Sequence, residues 1–145
     1  MKLFTIGFTK KSAERFFTTL KEAGVSRVLD IRLHNVSQLA GFAKRDDLRY
    51  FLKAICGIDY VAVPELAPTE EIFAAYRKGG KDWAVYEKRY LNLITERKVE
   101  KLLKKELFDG GCLLCSEETP DRCHRRLAAE YLLRHWGGIE IVHLL

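Results

Sequence analysis

The chain alternates between two patterns of apolar positions. Short runs of β-branched and other apolar residues, typical of buried strands, occur at 2–7, 25–32, 58–64, 112–117 and 139–145. Between these runs, apolar residues recur at helical spacing, as in Ala13, Phe16, Phe17, Leu20 and Ala23, with Ser12 as N-cap and Gly24 as the stop. The same spacing predicts further helices over about 47–56, 69–77, 82–107 and 119–136, the last with Thr119 as N-cap and Pro120 at its first position.

Strands that alternate with helices in the order βαβαβααβαβ are typical of a parallel sheet with right-handed crossovers. The sequence therefore predicts one α/β domain over residues 1–145: a three-layer domain with a mainly parallel sheet of about five strands and helices on both faces. Residues 33–46 show no firm period, which predicts a long loop.

Composition narrows the class of protein. The chain has 145 residues, and its hydrophobic fraction of 48% with 31% charged residues is that of a water-soluble globular domain. No run of eighteen apolar residues and no signal-peptide cleavage site occurs, so we expect no membrane span and a cytoplasmic location, where thiols stay reduced. The net charge of +5 favours anionic partners in general without singling out nucleic acid.

Polar and reactive residues follow the predicted strands. In an open parallel sheet, ligands bind outside the carboxyl ends of the strands, where these residues gather. The expected substrate-binding residues are Arg32, Arg125, Asp30, Ser37, Asn35 and Thr9. The expected catalytic residues are Cys123, Cys115, Glu117 and His124.

The four cysteines divide into two classes. Cys112 and Cys115 lie three residues apart in a strand and point to opposite faces, which argues against a zinc knuckle. Cys112 and Cys56 are expected to pack as small apolar residues. Cys115 ends a strand and Cys123 lies in the predicted first helical turn, with a loop between them short enough for the sulfurs to face each other.

This pair is the predicted reactive centre. A helix N-terminus and neighbouring arginines lower the pKa of a thiol, and the thiolate is the nucleophilic form. The first hypothesis is a Cys-dependent hydrolase or transferase acting on an anionic, nucleotide-like or nucleic-acid-derived small molecule. In this hypothesis Cys123 is the first choice of nucleophile and Cys115 the second. Glu117 and His124 transfer protons. Arg32 and Arg125 bind the anionic group of the substrate.

Two alternatives stay open. Cys115, Cys123 and His124 form a Zn or Fe site, or the two thiols form a redox couple; an adjacent Cys–His pair on a helix turns poorly to one ion, so the metal site ranks below the redox couple. The other alternative is an accessory domain that binds nucleic acid. The sequence TIGFT is neither a dinucleotide nor a P-loop fingerprint, so NAD and ATP are not predicted as cofactors.

Four segments carry a resemblance: TIGFT at 5–9, LDIRLHNVSQLAGF at 29–42, DYVAVPELAPT at 59–69 and LLCSEETPDRCHR at 113–125. In these the chain resembles the domain of unknown function 488 family, small prokaryotic α/β proteins, and looks like a member of its HNVSQLAGF/LAPT branch. The resemblance implies the α/β fold and no reaction. Many members read TIGHS where this chain has Phe8 and Thr9. The family's C-x-E and C-H-R pattern marks Cys115, Glu117, Cys123, His124 and Arg125, with Asp30, Arg32 and Ser37 from the second loop.

Overall fold

Five parallel strands form one sheet in the computed structural model, which describes residues 1–36 and 41–145. The strands are β1 (Lys2–Gly7), β2 (Arg27–Asp30), β3 (Asp59–Ala62), β4 (Gly111–Cys115) and β5 (Glu140–His143). The helices are α1 (Ala13–Ala23), α2 (Arg45–Phe51, continued by a π turn over Leu52–Cys56), α3 (Glu70–Lys78), α4 (Trp83–Arg97), α5 (Val99–Leu102), α6 (Lys105–Phe108) and α7 (His124–Trp136).

The strand order across the sheet is β3-β2-β4-β1-β5, so β4 lies at the centre between β2 and β1. All four pairings are parallel, with Gly7 opposite Cys115 and Asp30 opposite Leu114. This confirms the predicted α/β fold. It also brings the carboxyl ends of β1, β2 and β4 to one edge of the sheet.

Helices cover both faces of the sheet. On one face α1 and α2 bury Phe16, Leu20 and Leu48 against a core that includes Cys112, and on the other α4 and α7 pack around Leu113. Successive residues of β4 therefore serve opposite cores, as the period of a strand requires. Each fully buried leucine or phenylalanine contributes about 1.5–3 kcal/mol relative to an exposed one.

Two helix boundaries differ from the sequence prediction. The predicted helix over 82–107 is divided into α4, α5 and α6. The first break is at Lys98, which adopts a left-handed conformation with φ of 54°, and the second is at Leu103 and Lys104, whose backbone is extended. The predicted helix from Pro120 begins at His124 instead. The guanidinium of Arg125 holds the main-chain carbonyls of Glu117 and Glu118, so this segment folds back over the sheet edge as a loop and Thr119 caps no helix. Within the described residues, no helix is long and apolar enough to cross a membrane.

Candidate functional site

Three side chains meet where β4 ends and α7 begins. Cys115, Cys123 and His124 are all buried, and each presents one potential ligand atom within 4.8 Å of the other two. We refer to these three residues as the thiol–imidazole cluster. The structure thus brings together three of the four predicted catalytic residues.

The position of Cys123 corrects the premise that ranked a metal site low. Cys123 is the N-cap of α7, with extended backbone angles of φ −139° and ψ 141°, and His124 is the first helical residue. Because the chain changes direction between the two residues, their side chains are not separated by the 100° step of a helix. Neighbouring Cys and His side chains therefore reach the same point.

The sulfur atoms of the two cysteines lie within bonding distance of each other, as in a disulfide, although the Cα atoms are 7.4 Å apart. Disulfides join cysteines whose Cα atoms are about 4.4–6.8 Å apart, and wider pairs need backbone movement. Two thiolates on a tetrahedral zinc ion, each about 2.3 Å from it, have sulfurs about 3.8 Å apart. The backbone separation therefore suits shared ligation of an ion better than a direct sulfur–sulfur bond.

One ring nitrogen of His124 already has a partner. Its Nε2 lies 2.7 Å from the main-chain oxygen of Ile31, and in the neutral ring this nitrogen donates the hydrogen bond. Burial lowers the pKa of His124 to about 4, so the ring is neutral at physiological pH. Metal-binding histidines commonly donate their second nitrogen to a carbonyl in this way, which leaves the other lone pair for the ion.

Arg125 is fully buried beside the cluster. Its Nη1 donates to the sulfur of Cys115 at 3.4 Å and to the carbonyl oxygen of Glu117 at 2.7 Å. Burial lowers its pKa to about 10, which still leaves it charged at neutral pH, and no carboxylate among the described residues forms an ion pair with it. A cation in this position stabilises negative charge on Cys115.

Gly7 makes this arrangement sterically feasible. A Cβ atom at Gly7 would overlap the carbonyl oxygen of Glu117 and would lie 2.8 Å from Nη1 of Arg125. Only a residue without a side chain lets the loop after β4 pass this close to the end of β1.

A cleft of about 70 Å³ borders the cluster. The polar side chains that line it beside the cluster are those of Ser116, Glu117 and Arg122. The opposite side, which we call the aromatic wall, consists of four rings: Phe73 and Tyr76 from α3, and Trp83 and Tyr86 from α4. Glu117 and Arg122 are exposed, so both are accessible to a ligand in the cleft.

Asp30 and Arg32 form a buried ion pair at the neighbouring end of β2. Arg32 donates from Nε and Nη2 to the two carboxylate oxygens at 2.8 Å each, and Tyr60 donates to the same carboxylate at 2.5 Å. The guanidinium also lies over the ring of Phe8, 5.5 Å from its centroid. The pair borders a separate cavity of about 370 Å³, which Asn35 also lines.

Thr9 and Arg125, two further predicted substrate-binding residues, do not line the cleft. Thr9 donates its main-chain N–H to the carbonyl of Ser116 at 3.0 Å and so anchors the loop that carries Glu117. Arg125 is too deeply buried for direct contact with a ligand in the cleft. Ser37 lies outside the described residues.

The sequence pattern does not predict that the four rings, Arg122 and Gly7 meet at this site. The helical spacing over 82–107 places Tyr86 on a helix, but spacing alone does not separate a ring that packs in the core from one that lines a cleft. The run at 2–7 predicts only that Gly7 ends a strand. Its proximity to residues more than a hundred positions away has no local sequence signal.

Comparison with known proteins identifies the family. The family described as "Domain of unknown function DUF488" matches residues 12–132, which include β2 to β4 and most of α7. The chain therefore belongs to this family, as its motifs predicted. Neither the curated proteins nor the solved structures contain a match.

Proposed function

We propose that this DUF488 protein is a metal-dependent hydrolase of an anionic substrate, with zinc bound by Cys115, Cys123 and His124. The observation that carries the proposal is the convergence of the three ligand atoms within 4.8 Å. Two thiolates and one imidazole are a typical zinc ligand set, and three protein ligands leave the fourth position for water, as in catalytic rather than structural sites. The hydrogen bonds from His124 to Ile31 and from Arg125 to Cys115 supply the second shell that orients such ligands.

Glu117 is the proposed general base. Its carboxylate lines the cleft that the cluster borders, two residues after Cys115. Zinc held by Cys115, Cys123 and His124 would supply an activated water. Glu117 would accept the proton of that water while the water oxygen bonds to the electrophilic atom of the substrate. The bond to the leaving group then breaks, and the leaving group takes the proton from Glu117, so the net reaction is hydrolysis.

An anionic substrate follows from the charge around the cleft. Arg122 is exposed on its lining, and the positive end of the α7 dipole points to the same place. In the described residues, Arg122 forms neither an ion pair nor a side-chain hydrogen bond. Its guanidinium is therefore available to bind a carboxylate or phosphate.

A free-thiolate enzyme is the second candidate, and the hydrogen bond from Arg125 to Cys115 favours it. In that chemistry Cys115, rather than Cys123, is the nucleophile, because Arg125 stabilises its anionic form directly. Cys123 is then a second thiol beside the nucleophile.

Metal content separates the two candidates. The protein is purified without a histidine tag in the presence of a reductant, and zinc per chain is measured by mass spectrometry for wild type and Cys123→Ser. Cys56→Ser is the matched control, because Cys56 is a half-buried thiol on the other face of the sheet that donates only to the carbonyl of Phe17. Replacing zinc with cobalt(II) gives an independent readout, since thiolate ligation produces a charge-transfer absorption.

We expect about one zinc ion per chain in wild type and in Cys56→Ser, and loss of metal and of the cobalt–thiolate band in Cys123→Ser. Circular dichroism checks that each variant is folded. Metal-free wild type whose Cys115 is rapidly alkylated would overturn the metal proposal in favour of the thiolate enzyme. Equal metal content in Cys123→Ser would also overturn it, because the assigned ligand would then be dispensable.

A further inference from the structure

The wall of the cleft that faces the thiol–imidazole cluster is entirely aromatic. Tyr86 is central to it: its ring centroid lies 4.9 Å from that of Tyr76 and 5.2 Å from that of Trp83, to which it is nearly parallel at 21°. Phe73 extends the wall one helical turn along α3. Aromatic clusters of this kind usually pack in a small hydrophobic core, and Tyr86, which is buried, does so here.

Three of the four rings are only half-buried. Phe73, Tyr76 and Trp83 keep part of their surface accessible, and they line the cleft rather than the interior of the sheet. Helix α3, which carries two of them, has no fully buried residue and packs mainly on α4. The sequence therefore places rings on this helix without burying them, next to the thiol–imidazole cluster.

The aromatic rings and the charged groups that line the cleft together fit a ligand with a planar ring and an anionic group. Aromatic faces bind planar rings by stacking, whatever the substituents on the ring. Arg122 adds a cation at the rim, and Glu117 lies on the side of the cluster. At about 70 Å³ the cleft holds only part of a ring, so the rest of the ligand extends into solvent.

We infer that the substrate carries a planar heteroaromatic ring, which stacks on the aromatic wall, and an anionic group, which Arg122 binds. This inference rests on the proposed function, because it assigns the substrate class of the same site. A ring held there presents its edge to the thiol–imidazole cluster, where hydrolysis at a ring carbon or at a bond to the ring takes place. A nucleoside monophosphate is a common compound that combines both features.

Tryptophan fluorescence tests this directly, because the chain has two tryptophans and only Trp83 is in the wall. Trp136 packs on Phe108 and donates to the carbonyl of Glu100, so Trp136→Phe leaves Trp83 as the single reporter. Cytidine 5′-monophosphate is the probe, with ribose 5-phosphate as the ligand that has the anion but no ring.

We expect saturable quenching of Trp83 by cytidine 5′-monophosphate and none by ribose 5-phosphate. Phe73→Leu should weaken binding about five- to hundredfold, the range for loss of one stacking partner. Tyr50→Leu, which removes an exposed ring far along the chain from the wall, should leave it unchanged. Equal responses to both ligands, or full affinity in Phe73→Leu, would overturn the inference.

The same titration is run on protein of known zinc content. Zinc-loaded protein that fails to distinguish the two ligands refutes the ring inference and leaves the proposed hydrolase standing. Ring-specific quenching in protein that binds no zinc refutes the proposed function and leaves the ring site standing.

Discussion

Gly7→Ala is the substitution that tests most sharply how the site is held. Gly7 is opposite Cys115 in the sheet, and a Cβ there would overlap the main-chain oxygen of Glu117. That oxygen belongs to the backbone and cannot rotate away, and it accepts the 2.7 Å hydrogen bond from Arg125. The added methyl must therefore displace the loop after β4 or the guanidinium.

The magnitude follows from two contributions. Overpacking by one methyl costs about 1–3 kcal/mol, and weakening a buried charged hydrogen bond costs about another 1–3 kcal/mol. A loss of about 2–6 kcal/mol lowers the Tm of a chain of this size by roughly 7–20 °C. Because the displaced loop connects Cys115 to Cys123, we also expect Gly7→Ala to reduce zinc affinity.

The assay is a thermal melt followed by circular dichroism, together with the zinc content of each sample. Gly41→Ala is the matched control, since a Cβ at Gly41 meets no atom of the described residues within 4 Å and its φ is not in the left-handed region. The reasoning is refuted if Gly7→Ala has the same Tm as wild type and Gly41→Ala and retains its zinc.

Two further predictions concern stability. Asp30→Asn leaves the buried cation of Arg32 without its counter-charge and should lower the free energy of unfolding by about 3–5 kcal/mol, measured in urea; a loss below about 1 kcal/mol would show that the pair is dispensable. Burial lowers the pKa of His143, whose Nδ1 lies 2.6 Å from Oγ1 of Thr5, so the unfolded chain binds a proton more readily than the folded one. Stability should therefore fall as the pH drops through about 6.5, and His143→Gln should show a smaller loss between pH 7.5 and pH 5; an unchanged pH dependence would contradict this.

Local patterns were sufficient to predict the layers of this fold. The alternation of short apolar runs with helical spacing predicted five strands and helices on both faces, and the period of two placed Cys112 and Cys115 on opposite sides of β4. The order of strands in the sheet had no such signal, because pairing between β1 and β4 joins residues about a hundred positions apart. The prediction of where α7 begins was wrong for a related reason. Thr119 and Pro120 are good local signals for a helix start, but Arg125 binds the carbonyls of Glu117 and Glu118, and this contact keeps the segment before His124 out of the helix.

The arginines show how far chemical type alone can predict a binding site. Arg32 and Arg125 were both expected to hold an anionic substrate, and both are buried. Arg32 donates from Nε and Nη2 to Asp30, but its buried Nη1 has no partner among the described residues. Arg125 donates to main-chain carbonyls and to the sulfur of Cys115. Neither arginine lines the cleft, and Arg32 borders the separate cavity at the end of β2 instead.

The role of Arg125 in the proposed site is internal, because its buried cation next to Cys115 favours the thiolate, the form that binds zinc or attacks an electrophile. The charge offered to a substrate is that of Arg122, which lies between the two motif cysteines and carries no motif signal. Arg122→Gln should therefore weaken binding of cytidine 5′-monophosphate without changing zinc content. Arg125→Met should lower the zinc content even where the protein remains folded. If both substitutions acted alike, on binding and on zinc together, the division between a structural and a ligand-binding arginine would be wrong.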